Sequence, residues 1–285
     1  MIERSHLEHV VTDHCNLKCA NCSSGSPFLD ENFSDVQQFE QDVTELSKYM
    51  RIEHIRFVGG EPTLHPDIVK FCDIAKKSDL VRGKVSIVTN GLKLLNMPDE
   101  FWKAVDIISL SVYNDSGINY HKVIDMLHEQ SDKNQIRFFI ATDEEEQSNL
   151  EIVKKNYKID RQYVDTGTFK LVDVYEEMTE NQSQEIFDGC LMKEICHSFK
   201  DGRYFRCTIS VLKDKHYKAK NIQTGYNFFD QDSIPIDSTF PEHWEPYTKS
   251  KQININACRF CRGIQTDLSE PHRQMTNQEI LKWKN

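Results

Sequence analysis

No apolar run in this sequence approaches the ~18 residues that a membrane-spanning helix needs, which removes helical membrane proteins from consideration. The opening residues, Met1-Ile2-Glu3-Arg4-Ser5-His6, lack the apolar core of a secretory signal. An excess of basic residues is also missing. The 35 Lys and Arg against 45 Asp and Glu leave a formal net charge of −10, which argues against a nucleic-acid groove or an anionic membrane surface. There is no internal repeat and no low-complexity tract. What remains is a soluble, cytoplasmic chain of 285 residues, 38% hydrophobic and 10% aromatic. That is enough core for one large α/β domain plus a small appendage, and too much for wholesale disorder.

Cysteine is not scarce. Nine are present, and in a cytosolic chain such a number points to metal ligands or catalytic thiols rather than disulfides. Three crowd the N-terminus, five lie between residues 190 and 261, and Cys72 stands alone on the apolar side of a helical pattern, where it reads as a buried small hydrophobe.

From residue 7 to about 175, short β-branched and aromatic runs alternate with helical patterns. The strand candidates are Leu7–Thr12, His54–Val58, Lys84–Thr89, Ile107–Val112, Ile136–Ala141 and Phe169–Val174. Ser34 is placed to cap a helix carrying Phe39, Val43, Leu46 and Met50. Pro66 suits a first helical position ahead of Ile68, Phe71, Cys72 and Ala75. Pro98–Val105, Tyr120–His128 and Asn149–Tyr157 supply further helices. This rhythm implies βαβ units and a parallel sheet. About six units fit, too few for a closed eight-stranded barrel, so the fold class expected is α/β, a partial (β/α)6 barrel. The expected domains are the barrel over 1–180, a cysteine-rich module over 181–270 in which Asn221–Thr248 reads as loop, and a tail over 271–285 with a helix at Asn277–Lys284.

Cys15-Asn-Leu-Lys-Cys19-Ala-Asn-Cys22 has the spacing C-x3-C-x2-C directly after the first strand candidate. Three thiolates in one loop can hold three irons of a [4Fe–4S] cube and leave the fourth iron open. A structural zinc site is the alternative, but zinc takes four ligands, and the adjacent His14 is badly placed to share the metal. One strand later comes Gly59-Gly60-Glu61-Pro62, where two glycines let the backbone come close to a ligand at a strand C-terminus.

With both motifs in place, the sequence resembles the radical S-adenosylmethionine (SAM) superfamily, in its branch with a C-terminal auxiliary-cluster domain. The resemblance implies that an open iron chelates SAM and delivers one electron, giving methionine and a 5′-deoxyadenosyl radical that abstracts hydrogen from a substrate. It implies that Gly59, Gly60 and Glu61, with Pro62, meet the amino group of SAM. It also implies that Thr89, Asn90, Ser109 and Ser111, at the ends of the third and fourth strands, reach its carboxylate and ribose. Asn21 stands where the family often has an aromatic against adenine. Eleven residues separate Cys190 from Gly202 and four separate Gly202 from Cys207, with Cys258-Arg-Phe-Cys261 following. This is similar to the short "twitch" form of the auxiliary domain called SPASM, which implies one further [4Fe–4S] cluster on Cys190, Cys207, Cys258 and Cys261. A four-cysteine zinc ribbon is the alternative. Cys196 remains as a bystander, a substitute ligand for Cys190, or a hydrogen donor to a substrate radical.

A fully ligated auxiliary cluster passes electrons, as dehydrogenation of an alcohol requires. The layout is similar to that of the small dehydrogenases of aminoglycoside biosynthesis, such as 2-deoxy-scyllo-inosamine dehydrogenase. The expected activity is therefore dehydrogenation, dehydration or epimerisation of a sugar, cyclitol or nucleotide-like alcohol, with flavodoxin or ferredoxin as electron donor. Peptide modification is the second reading, weighed down because only about six residues precede the first strand candidate. A non-catalytic iron–sulfur or zinc module is the third. Tyr113, Asn114, Thr142, Asp143, Tyr175 and Glu176 are candidates for substrate contact, and no catalytic base can be singled out.

Overall fold

The structure is a computed structural model that describes residues 1–20, 22–113, 116–141, 164–165, 175–263 and 273–284. Six strands form its first part: β1 Ile2–Thr12, β2 Met50–Gly59, β3 Val81–Thr89, β4 Ile107–Ser111, β5 Arg137–Ala141 and β6 Val164–Asp165. Each pairs in parallel with the next, in the spatial order β6-β5-β4-β3-β2-β1. Helices α1 Val36–Leu46, α2 Ile68–Lys77, α3 Asp99–Ala104 and α4 Tyr120–Asn134 connect the first five. The sheet does not close: β6 is one of its edges. It is the open, partial barrel that the βα rhythm implied.

Side chains on the strands sort by face. Leu7 and Val11 of β1, Ile55 and Phe57 of β2, Val85 and Ile87 of β3, and Ile108 and Leu110 of β4 join one buried core with Phe39, Val43, Phe71 and Cys72 of the helices. Alternation then turns Arg56 and Val58, Val88, Ser109 and Ser111 to the opposite, concave face, where they are only half-buried.

The remaining described chain extends the same sheet. Helices α5 Glu180–Gly189 and α6 Met192–Ile195 lead to β7 Ser198–Lys200, which pairs in parallel with β1 through Glu8 and Ser198. β7, β8 Arg203–Phe205 and β9 Ser233–Pro235 then run antiparallel. Helices α7 Ser210–Ala219, α8 Phe228–Gln231, α9 Phe240–Thr248 and α10 Asn277–Lys284 complete it. The expected tail helix is thus present.

Several local expectations change. β1 begins at Ile2 rather than Leu7, and β2 and β3 begin four and three residues earlier than the apolar runs suggested. Asp35, not Ser34, caps α1, accepting from the Gln38 N–H at 2.8 Å. Ser34 instead donates to the Val10 carbonyl at 2.7 Å and receives the buried Lys200 ammonium. α2 starts at Ile68 behind Asp67, leaving Pro66 outside it. Asn221–Thr248 is not loop throughout: it holds α8, β9 and α9. Prolines disguised it, since Pro241 opens α9 and Pro246 sits within it. The expected helix Asn149–Tyr157 and strand Phe169–Val174 lie outside the described residues.

Candidate active site

The loop of Cys15, Cys19 and Cys22 leaves β1 at its C-terminal end and is held there by backbone. Gly60 N–H donates to the Thr12 carbonyl at 2.9 Å and Glu61 N–H to the His14 carbonyl at 3.0 Å. A Cβ on Gly60 would stand 1.9 Å from the His14 oxygen, and one on Gly59, whose φ is +140°, 2.2 Å from the Thr12 oxygen. Both glycines are therefore required by the packing of this turn on the cysteine loop.

Glu61 is 1% exposed, and both oxygens of its carboxylate are hydrogen-bonded. It accepts from Thr63 N–H at 3.0 Å, the Thr63 hydroxyl, the Thr89 hydroxyl at 2.7 Å and Asn90 N–H at 2.8 Å. Burial raises its pKa, and these donors oppose that rise. Glu61 thus locks the turn after β2 to the end of β3, and Pro62 opens the short helical turn Pro62–Leu64 behind it. Thr89 is committed to the same carboxylate. Asn90 sends its amide Nδ2 toward Cys15 Sγ at 3.5 Å and to Asn16 Oδ1 at 2.8 Å. Ser109 and Ser111 face the concave side and stay half-buried.

N–H groups converge on all three sulfurs. Leu17 N–H lies 3.4 Å and Asn90 Nδ2 3.5 Å from Cys15 Sγ, and Gln274 Nε2 lies 3.6 Å from Cys19 Sγ. The backbones of Ser24, Gly25 and Ser26 serve Cys22. Such donors favour a thiolate, yet burial pushes Cys15 up to about 12 and raises Cys22 as well. Cys15 also feels the charges of Glu61, Cys22 and Cys19, so the three sulfurs share one field. Sulfur-only donors that are oriented as thiolates, but need a cation to shed their protons, fit an iron–sulfur cluster. Among the described residues no three Cys, His, Asp or Glu side chains close on one point as a single metal ion would need. A cube takes each thiolate on a separate iron.

The second thiol group forms around the β7–β8 hairpin. Asp201 and Gly202, with φ of 50° and 74°, make its two-residue turn, which explains the glycine of the motif and delivers Cys207 just past β8. Cys190 ends α5, while Cys258 and Cys261 sit in and after the helical turn Asn256–Phe260. Burial raises Cys207 to about 12 and Cys258 well above the ordinary thiol range. Cys190, Cys207 and Cys261 all contribute their charge at Cys258. Gly263 N–H points at Cys261 Sγ from 3.3 Å. Cys196 feels Cys207 and Cys190 but also bonds to Glu8, a residue of β1. Cys72 lies in the core, fully buried.

Two contributors were not visible in the sequence. Segment 273–277 returns to the cysteine loop: Ala20 N–H donates to the Arg273 carbonyl at 3.0 Å, Met275 N–H to the Lys18 carbonyl at 2.7 Å, and Lys18 Nζ meets Asn277 Oδ1 at 2.5 Å. The polar group Arg4, His6, Glu8, His54 and Arg56 is the other. Of the substrate-contact candidates, Tyr113 is half-buried within the field of Cys19 and Cys22, Tyr175 bonds to Lys220, and Glu176 is exposed. Asn114, Thr142, Asp143 and Asn21 lie outside the described residues. No helix among the described residues is long and apolar enough to cross a membrane.

Residues 9–129 match the family model of the radical SAM superfamily. The chain is 28% identical over 102 residues to a GTP 3′,8-cyclase of Clostridium botulinum, a stretch covering 35% of this chain and 32% of that protein. The chain thus spans about a third of the length of such curated relatives. Among solved structures it is similar to native anSMEcpe with bound AdoMet and Kp18Cys peptide. The TM-score is 0.54 at 15% identity, over 98% of this chain and 96% of that one. It is also similar to BtrN in complex with AdoMet and 2-DOIA, with a TM-score of 0.50 at 13% identity, over 96% of this chain and 100% of that one. At these identities the structural likeness speaks for the fold.

Proposed function

From a chain whose residues 9–129 carry a radical SAM domain, we propose a two-cluster enzyme that acts on a small-molecule alcohol, a sugar, cyclitol or nucleotide-like compound, by dehydrogenation, dehydration or epimerisation. Cys15, Cys19 and Cys22 hold the catalytic cluster, and Cys190, Cys207, Cys258 and Cys261 the auxiliary one. When bound, these groups and SAM supply hydrogen-atom abstraction and one-electron transfer.

The chain's own residues do the rest. Gly59 and Gly60 bring backbone against the cysteine loop, and Glu61 fixes that turn to the end of β3. Asn90 and Gln274 orient sulfurs. The half-buried concave face, with Val58, Val88, Ser109 and Ser111, offers a substrate both apolar wall and hydroxyl donors. The observation that carries this reading is the set of N–H donors aimed at three clustered sulfurs beside the glycine turn. Flavodoxin or ferredoxin supplies the reducing electron.

The test is iron and sulfide content after anaerobic reconstitution, followed by 5′-deoxyadenosine formation with dithionite and SAM. About eight irons per chain, two cubes' worth, together with 5′-deoxyadenosine, is the expected result. Zinc in place of iron, or two clusters that never cleave SAM, would overturn the reading.

A further inference from the structure

Strands β1 and β2 gather four basic side chains on one face of the sheet. In the parallel register His6 stands opposite His54 and Glu8 opposite Arg56. Arg4, His6 and Glu8 alternate with the core residue Leu7, and His54 and Arg56 flank the core residue Ile55, so all five turn to the concave side. The rings of His6 and His54 stack with centroids 4.9 Å apart, tilted by 15°. In a chain of net charge −10, this runs against the average.

The cluster is short of negative charge. Among the described residues the carboxylate paired with it is Glu8, 3.5 Å from Arg56 Nη1 and bonded by the Thr208 hydroxyl at 2.6 Å. Burial raises the Glu8 pKa and so weakens its claim to a full charge. The pKa of His6 falls to about 4 through burial first, then through Arg56, His54 and Arg4, as expected where cations repel one another. Arg4 Nη2 donates to the Glu194 carbonyl at 2.7 Å, but among the described residues three nitrogens of the cluster are buried without a hydrogen-bond partner: Arg4 Nε, His6 Nε2 and Arg56 Nε. Buried guanidinium N–H groups without acceptors are rare in a finished site, and two of them beside an unpartnered imidazole nitrogen suit an anion.

We propose that Arg4, His6, His54 and Arg56 seat a phosphate or diphosphate group carried by the substrate. Two guanidinium forks with imidazole donors suit phosphate oxygens. The inference rests on the reading above and narrows it to a phosphorylated alcohol. The Glu8–Arg56 level lies four residues along β1 from Thr12, about 13 Å at ~3.3 Å per residue. That span suits a phosphorylated sugar or a nucleotide with its anion at the cluster and its reacting carbon toward the cysteine loop.

The experiment is a titration of the intact reconstituted protein with inorganic pyrophosphate, with a nucleoside 5′-diphosphate and with the nucleoside alone. Affinity is followed calorimetrically, and location through the imidazole proton resonances of His6 and His54, assigned with His6→Gln and His54→Gln. Pyrophosphate and the diphosphate should shift both resonances, and the diphosphate should bind more tightly than either part. Arg56→Gln and Arg4→Gln should each weaken pyrophosphate at least tenfold, Arg56→Lys less, and Arg82→Gln on the outer surface not at all. Arg56→Lys keeps the charge and guards against a folding defect in the neutral variant. Pyrophosphate that leaves both histidines unmoved, or binds equally to Arg56→Gln, overturns the assignment. Formation of 5′-deoxyadenosine by the wild-type protein is scored separately: a protein that cleaves SAM but ignores pyrophosphate loses the phosphate seat alone. One that binds pyrophosphate but never cleaves SAM loses the substrate role with the radical reading.

Discussion

The side-chain amide of Gln274 reaches across 255 residues of sequence to the sulfur of Cys19, its Nε2 donating over 3.6 Å. Its Oε1 accepts from the Lys18 N–H at 2.6 Å, which fixes which end of the amide faces the sulfur. Gln274 also forms an isolated antiparallel bridge with Cys19. The end of the described chain therefore braces the loop that its beginning contributes.

Hydrogen bonds to sulfur help set the reduction potential of an iron–sulfur cluster, because they offset negative charge that grows on reduction. Gln274→Ala removes one donor. A hydrogen bond worth ~1 kcal/mol corresponds to about 40 mV in a one-electron couple, given 59 mV per tenfold. The catalytic cluster of the variant should titrate more negative by that amount, with its iron retained, in a potentiometric titration followed by electron paramagnetic resonance. An unchanged potential would remove Gln274 from the electrostatics of the cluster and leave it a structural brace.

Gly60→Ala tests the packing of the glycine turn. Its Cβ would collide with the His14 carbonyl, a backbone atom that cannot rotate away. Overpacking of this kind costs about 1–3 kcal/mol, so the thermal midpoint should fall by several degrees. SAM binding should weaken in parallel, since the turn and the cysteine loop must part. A variant as stable as the wild type, with unchanged SAM affinity by equilibrium dialysis, would contradict the close approach.

The βα rhythm and the two cysteine groups were legible because each has a local signature: apolar runs for strands buried on their helix side, and short spacings for the thiols. The missing half of β1 was not, for a physical reason. Arg4, His6 and Glu8 share a face that carries charge, and Glu3 and Ser5 on the other face are exposed, so no hydrophobic period marks Ile2–His6 as strand. The residues that hid the strand are the ones that build the basic cluster. Asn90 and Thr89 were found by position at a strand end, but their partners, Cys15 and Glu61, are set by tertiary packing. Gln274 has no signal at all, being one polar residue whose meaning depends on a chain return.

The two thiol groups should separate by mutation. Cys19→Ala should abolish 5′-deoxyadenosine formation while the auxiliary cluster persists in the spectrum. Cys258→Ala should lose about four irons per chain yet still form 5′-deoxyadenosine without coupling it to product. Normal turnover by Cys258→Ala would end the electron-transfer role of the second group.

Asp232 predicts a pH dependence of stability. It is fully buried, accepts from Asn256 N–H at 2.6 Å and Ala257 N–H at 2.8 Å, and so ties the turn carrying Cys258 to the α7 start through Ser210. Burial outweighs these donors and raises its pKa to about 6, against about 3.9 for an unfolded Asp. Between those values the folded state keeps a proton that the unfolded chain has released, so stability falls as pH rises through the window. The full penalty, of order 3 kcal/mol at 1.36 kcal/mol per unit, is in place above about pH 6. Asp42, raised to about 6 by burial, acts in the same direction. Buried Glu8 and Glu61 act in the same direction and the imidazoles of His6, His54 and His197 in the opposite one, so Asp232→Asn isolates the Asp232 titration by difference. In urea unfolding of the reduced, cluster-free protein at a series of pH values, the stability of the wild type relative to the variant should therefore fall between about pH 4 and 6. Parallel curves would mean that Asp232 ionises normally and that its hydrogen bonds, not its burial, decide its charge.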